Sequence, residues 1–180
     1  AWHTAVLCAH AIEQSQRADS ADEEQAVVAL QAQSERGTTA IMIYAPHRPY
    51  GFARTTAVLD QLGLNIVDAR ITPTRDGNSI DFYHVLEEDG SAILDEERCE
   101  EIEWALRRSW AAPRHVAPTV SRRAPRQVRM FNTRTRIDVS MDERNHRSVL
   151  EIIAGDRPGL LSDIGKIMMD ERSFATPLPE

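Results

Sequence analysis

Two short stretches of this chain have the residue types and spacing to hold a small anion. "APHRPYGF" begins at Ala45 and "AGDRPGLL" at Ala154, and each places Arg-Pro beside a glycine. Each follows a short β-rich run, Ile41-Met42-Ile43-Tyr44 in the first case and Val149 to Ile153 in the second. Each also leads into apolar residues at helical spacing. A strand-to-helix turn exposes helix N-terminal N–H groups, which can hold a carboxylate such as that of an amino acid. Glycine lets backbone approach a ligand closely, a part open to Gly51 in the first stretch and Gly159 in the second. Asn65, at the start of a following strand, carries an amide that both donates and accepts. The plainer alternative is that each Arg-Pro only starts a helix, with proline pre-setting φ, and that Asn65 is a helix-exit turn residue.

Other chemistries are weakly supported. His3 and His10 are seven residues apart on one helix face, but no carboxylate stands beside them and no His-Asp dipeptide occurs. The acidic runs "EEDGS" and "LDEERCEEIE" fall around a turn and on a helix with arginines, where a solvated face is the simpler reading than a Mg²⁺ pair. No spacing argues for a Ser/His/Asp or Cys/His set, and "GDRPG" is not a phosphate loop. The stretch from residue 111 to 129 holds Arg114, Arg122, Arg123, Arg126 and Arg129 without an acid. It could touch nucleic acid or an acidic partner, yet it lacks aromatics for base stacking. A charged connector is the favoured reading.

The elements that would position these residues come in a recurring order. Arg48 and Arg157 are 109 residues apart, too far for a solenoid and suited to two copies of one small domain. Residues 1–36 read as helical, the remnant of a preceding domain, with Ala26, Val27 and Leu30 following the acidic turn "DSADEE". Thr39 to Tyr44 reads as a strand, then "PHRPYG" as a turn, then a helix with Phe52, Val58, Leu59 and Leu62 on one face. Gly63 should end that helix at φ > 0. Leu64 to Thr72 and Ile80 onward are strands around Asp76-Gly77, a hairpin signal, and a second helix runs from about Asp95 to Trp110.

That order, β-α-β-β-α, needs one more strand to complete a split βαβ unit, and Thr133 to Met141 is the expected supplier. The first domain therefore spans 37–141, with the basic linker inside it. A second, truncated copy spans 146–180, with a strand, the "GDRPG" turn and a helix from Leu160 to Met169. Both ends of the chain read as cut from a larger protein, and the last helix as loosely held or borrowing a partner.

The net charge of −7 argues against a chain that coats nucleic acid or anionic membrane. No apolar run approaches the roughly 18 residues of a membrane span, and no secretory signal is visible. Two cysteines, Cys8 and Cys99, cannot build a disulfide framework and fit a cytoplasmic protein with reduced thiols.

Strand, Arg-Pro turn, helix and "GLNIVDARI" together resemble the ACT domain, a ferredoxin-like βαββαβ small-molecule sensor of the α+β class. The longer combination, from "TAIMIYAPHRPYGFARTTAVLDQLGLNIVDARITPTRDGNSIDFYHVLEEDGS" through a basic linker to "RSVLEIIAGDRPGLLSDIGKI", is similar to the C-terminal tandem ACT region of the bifunctional PII uridylyltransferase/uridylyl-removing enzymes. The resemblance implies a glutamine-sensing regulatory region of an enzyme that uridylylates and deuridylylates the signal protein PII. It implies Mg²⁺ for the parent enzyme, no cofactor or catalytic residue in this segment, and ACT–ACT pairing or a homodimer. The ligand-facing residues it implies are His47, Arg48, Tyr50, Gly51, Phe52, Asn65, Asp156, Arg157, Gly159 and Leu160. His47 and Tyr50 stand where the family often has Asp and Gly. A free-standing amino-acid-binding ACT protein without catalytic domains is the alternative, and a nucleic-acid-linked regulator using the basic linker is a third reading.

Overall fold

The structure is a computed structural model describing residues 26–31, 37–112, 119–122 and 134–170. Its elements are β1 (Val27–Gln31), β2 (Thr39–Pro46), α1 (Gly51–Gln61), β3 (Asn65–Pro73), β4 (Asn78–Leu86), α2 (Glu96–Ala111), β5 (Arg136–Asp142), β6 (Arg147–Ile153) and α3 (Leu160–Met169). Four strands form an antiparallel sheet in the order β1-β2-β4-β3, while β5 and β6 form a separate antiparallel pair. This is a ferredoxin-like α+β arrangement, with α1 and α2 packed on the sheet.

The core explains why these segments take these forms. Alternation along β2 and β4 turns Ile41, Ile43, Tyr83 and Val85 toward the helices, where they meet Leu59, Ile102, Leu106 and Trp110. Each such fully buried aliphatic side chain contributes about 1.5–3 kcal/mol relative to exposure. α1 ends as its sequence demands. Gly63 takes φ +80°, its N–H reaches Asp60 O at 2.9 Å, and Leu64 N–H reaches Leu59 O at 3.0 Å, a Schellman closure. α2 begins at Asp95, whose side chain accepts from the Arg98 N–H at 2.9 Å.

The fourth strand of the sheet overturns an expectation. Thr133 to Met141 does not close the first domain; β1 does, paired antiparallel to β2 from Val27↔Tyr44 to Gln31↔Ala40. Val27 and Val28 are β-branched and buried, so packing beside β2 outweighs the helical reading given to that stretch. β1 and β2 are close in sequence, Gln31 to Thr39, so pairing them costs less chain entropy than recruiting a strand from beyond residue 130. The rest of the helical reading, residues 1–25 and 32–36, lies outside the described residues.

β5 belongs to the second copy instead. Its ladder with β6 runs from Arg136↔Ile153 to Asp142↔Arg147. Val27↔Tyr44 and Arg136↔Ile153 are separated by the same 109 residues as the two Arg-Pro pairs. The strand-strand-helix order therefore recurs without insertion in β1-β2-α1 and β5-β6-α3. In the second copy the face corresponding to the first domain's core stays open: Ile137, Val139 and Leu150 are exposed. α3 lies against α1 rather than over its own hairpin.

Candidate functional site

The two Arg-Pro turns have the same backbone. In the first, Gly51 N–H bonds Arg48 O at 3.3 Å and Arg54 N–H bonds Tyr50 O at 2.8 Å. In the second, Leu160 N–H bonds Arg157 O at 3.2 Å and Asp163 N–H bonds Gly159 O at 2.8 Å. The residue before each helix is left-handed, Tyr50 at φ 61° and Gly159 at φ 80°. The counterpart of Gly159 is thus Tyr50, not Gly51, and a side chain there is held in a conformation that costs about 1–2 kcal/mol.

Their side chains are used differently. Arg48 is buried, with its guanidinium 4.2 Å from the centre of the Trp110 ring and its Nη1 donating to Ala112 O at 3.5 Å. Arg54 Nη1 donates to Ser109 O at 3.0 Å, and burial lowers its pKa. Both cations thereby meet the last carbonyls of α2, the negative end of that helix dipole. Gly51 packs so close to Trp110 that a Cβ would sit 3.1 Å from its ring. Arg157 is exposed and ion-pairs with Asp163 at 2.7 Å, which holds that carboxyl below its usual range.

Of the other expected ligand residues, His47 and Asp156 are exposed, while Tyr50, Phe52 and Leu160 are half-buried. His47 docks its backbone N–H on Gly77 O at 2.9 Å. Phe52 stacks on Tyr83 with ring centroids 6.4 Å apart. Asn65 donates from its amide to Glu87 O at 3.1 Å. The strand register separates it from the first turn: Pro46 pairs with Asn78, whereas Asn65 pairs with Leu86 at the other end of the sheet. An eight-residue strand spans roughly 25 Å, so the first turn and Asn65 do not share one pocket within the first domain.

The second turn lies at Asn65's end. Gly159 N–H donates to the Asp60 carboxylate in the last turn of α1. At the other end of the antiparallel helix pair, a Cβ on Gly165 would lie 2.7 Å from Phe52 Cδ1 and 3.2 Å from Ala53 Cβ. Ala53 and Thr56 of α1 correspond to Ser162 and Gly165 of α3, and all four are buried. Small residues at the same two positions of each copy let the helix backbones approach.

One residue was missed from the sequence. Asp81 on β4 is 2% exposed, and its Oδ1 finds no hydrogen-bond partner. Burial pushes its pKa up to about 6, against smaller opposing effects of the Ser79 hydroxyl and the His47 charge. The signal was available: Asp81, Tyr83 and Val85 alternate along one strand, so Asp81 shares the core face.

Among the described residues no three His, Cys, Asp or Glu side chains converge as a metal site. No helix among them is long and apolar enough to cross a membrane. His3, His10 and the linker residues Arg114, Arg123, Arg126 and Arg129 lie outside the described residues.

A four-stranded antiparallel sheet under two helices, with a repeated strand-to-helix turn, defines a small α+β module, and residues 39–102 match the ACT domain family. The similarity extends over most of the chain. It is 39% identical over 173 residues to the bifunctional uridylyltransferase/uridylyl-removing enzyme of Methylococcus capsulatus, covering 94% of this chain and 18% of that protein. To the enzyme of the same name from Stutzerimonas stutzeri it is 42% identical over 135 residues, 74% of this chain and 15% of that protein. The Acinetobacter baumannii enzyme is 33% identical over 171 residues, again 94% and 18%. The chain is thus similar to one segment of these enzymes and spans under a fifth of the length of these relatives. No solved structure matches it.

Proposed function

We propose that this segment is the glutamine-sensing regulatory region of a cytoplasmic bifunctional enzyme that uridylylates and deuridylylates the PII signal protein. The observation that supports it most is the strand-to-helix turn built twice with the same hydrogen bonds, in a chain related to these enzymes over 94% of its length. At the first turn α1 has no side-chain cap and no acid in its first turn. Its N-terminal end therefore offers positive potential to an effector carboxylate. His47 and Tyr50 border that end, where an effector would be read. Catalysis, with the Mg²⁺ it uses, belongs on this reading to other segments of the parent protein.

Isothermal calorimetry of the chain with glutamine tests the reading. A saturable heat with glutamine, reduced several-fold by His47→Ala and not reproduced by asparagine, is the expected result. Absence of heat at millimolar glutamine overturns it.

A further inference from the structure

The two turns share a backbone but not an occupant. α3, like α1, has no side-chain cap of its own, yet its Gly159 N–H is already engaged by a carboxylate from the other copy, Asp60 Oδ2. A carboxylate at a helix N-terminus is what helix amides and dipole favour, so Asp60 stands where the carboxylate of a free ligand would stand. A short stretch of the linker seals the contact. The Val120 side chain covers Gly159, its Cβ 3.2 Å from where a Gly159 Cβ would be. The Ser121 N–H and hydroxyl both reach Gln61 Oε1, at 3.1 and 3.3 Å. Arg122 lies 3.8 Å from Asp60 Oδ1, donates to Asp60 O at 3.4 Å and pairs with Glu88 at 3.2 Å.

We infer that Asp60 and the Val120–Arg122 strap form an internal latch, in which a protein carboxylate occupies the second turn and keeps it closed to free carboxylates. Asp60 is held between a cation and an amide, so its two oxygens have separate partners and the strap cannot leave without uncovering both. Opening the second turn therefore requires undocking residues 119–122 from the end of α1. That movement breaks the bridge by which the linker joins α1 to the second copy. The identity of the competing ligand rests on the glutamine reading above; the latch itself does not. In one chain, then, the first turn has no protein carboxylate on it, and the second is gated by the linker.

Amide NMR on the ¹⁵N-labelled chain decides this. Asp60→Asn should shift the Gly159 amide resonance upfield and raise hydrogen exchange at Ser121 at least about tenfold, with the core amides of β2 and β4 unmoved. Val120→Ala, which leaves Asp60 in place, should raise exchange at Ser121 and Gly159 by a smaller factor. In titrations, glutamine should move the amides from Tyr50 to Ala53 in the wild type, and those of Gly159 to Leu161 only in the Asp60 and Val120 variants. The latch is overturned if neither variant changes Gly159 or Ser121. It is equally overturned if glutamine moves Gly159 as readily in the wild type as in Asp60→Asn. Glutamine that moves neither turn in any variant counts against the glutamine reading, while the Gly159 and Ser121 responses still decide the latch.

Discussion

The strand–turn–helix at β2-α1 and the one at β6-α3 are the same construction placed in different surroundings. Both turns close with the same two backbone bonds, and both enter their helix through a left-handed residue. Beside the first, α2 supplies Trp110, and Arg48 is drawn under it. Beside the second, no such helix is present among the described residues; Arg157 faces solvent and pairs with Asp163, and the turn meets Asp60 of the first copy instead. The difference teaches that the Arg-Pro arginine is an opportunistic group. At the first turn it caps the end of α2, and at the second it leaves the end of α1 to other groups and joins a surface ion pair of small energetic weight.

Removing the anchor of the first turn should have the largest effect. Trp110→Ala takes away the ring that covers Arg48 and Gly51 and the indole N–H that donates to Thr55 Oγ1 at 3.2 Å. A loss of about 3–5 kcal/mol in urea denaturation is expected for such a truncation. A loss under about 1 kcal/mol would mean that the two turns are equally self-supporting.

Next comes the contact between the copies. Gly165→Val puts a branched side chain where Phe52 and Ala53 lie against α3, and should weaken the docking of α3 by about 1–3 kcal/mol. Hydrogen exchange should then rise across residues 160–169 while α2 stays protected. Unchanged protection of α3 would show that it is held by something other than α1.

Asp81 separates the turns by pH, because it is the buried carboxyl among the described residues and lies near the first turn. Its folded pKa of about 6 is above its unfolded value. Below the unfolded value both states are protonated and the ionisation of Asp81 contributes nothing to stability. As pH rises toward 6 the unfolded chain releases its proton first, so stability falls through that window and levels off above it. Asp81→Asn should therefore stabilise the protein by about 1–3 kcal/mol at pH 7 and have almost no effect near pH 3.5. Equal effects at both pH values would remove the carboxyl as the cause.

The smallest effect concerns the left-handed residue itself. Tyr50→Gly should stabilise the first turn by up to about 1 kcal/mol, by relieving its φ of 61°. Gly159→Ala should destabilise the second, because φ is +80° and Val120 is 3.2 Å from the added Cβ. The two thermal shifts should have opposite signs. Shifts of the same sign would show that the turns are not equivalent after all.

Much of the first domain was legible in the sequence because its signals are local. Gly63 marks a helix exit that only a residue at positive φ can make, Asp76-Gly77 marks a hairpin, and Asp95 caps α2. The fourth strand was not legible. Val27 to Gln31 is short enough to suit either helix or strand, and β2 beside it decided the matter. The candidate ligand residues were legible as a set, but not their grouping. Nothing in the spacing of Tyr50 and Asn65 says that they lie at opposite ends of one sheet. Asp81 could have been found from strand alternation alone.

By itself, then, the sequence determined the order of elements in the first domain, the 109-residue repeat of the Arg-Pro turn and the class of module, since turn chemistry and periodicity act between neighbours in the chain. Only the tertiary structure decided which strand closes the sheet, that β5 opens the second copy, and that Asp60 fills the second turn. Those outcomes depend on which distant segments reach each other, and their free energies come from backbone pairing, close helix approach and one carboxylate between an amide and an arginine.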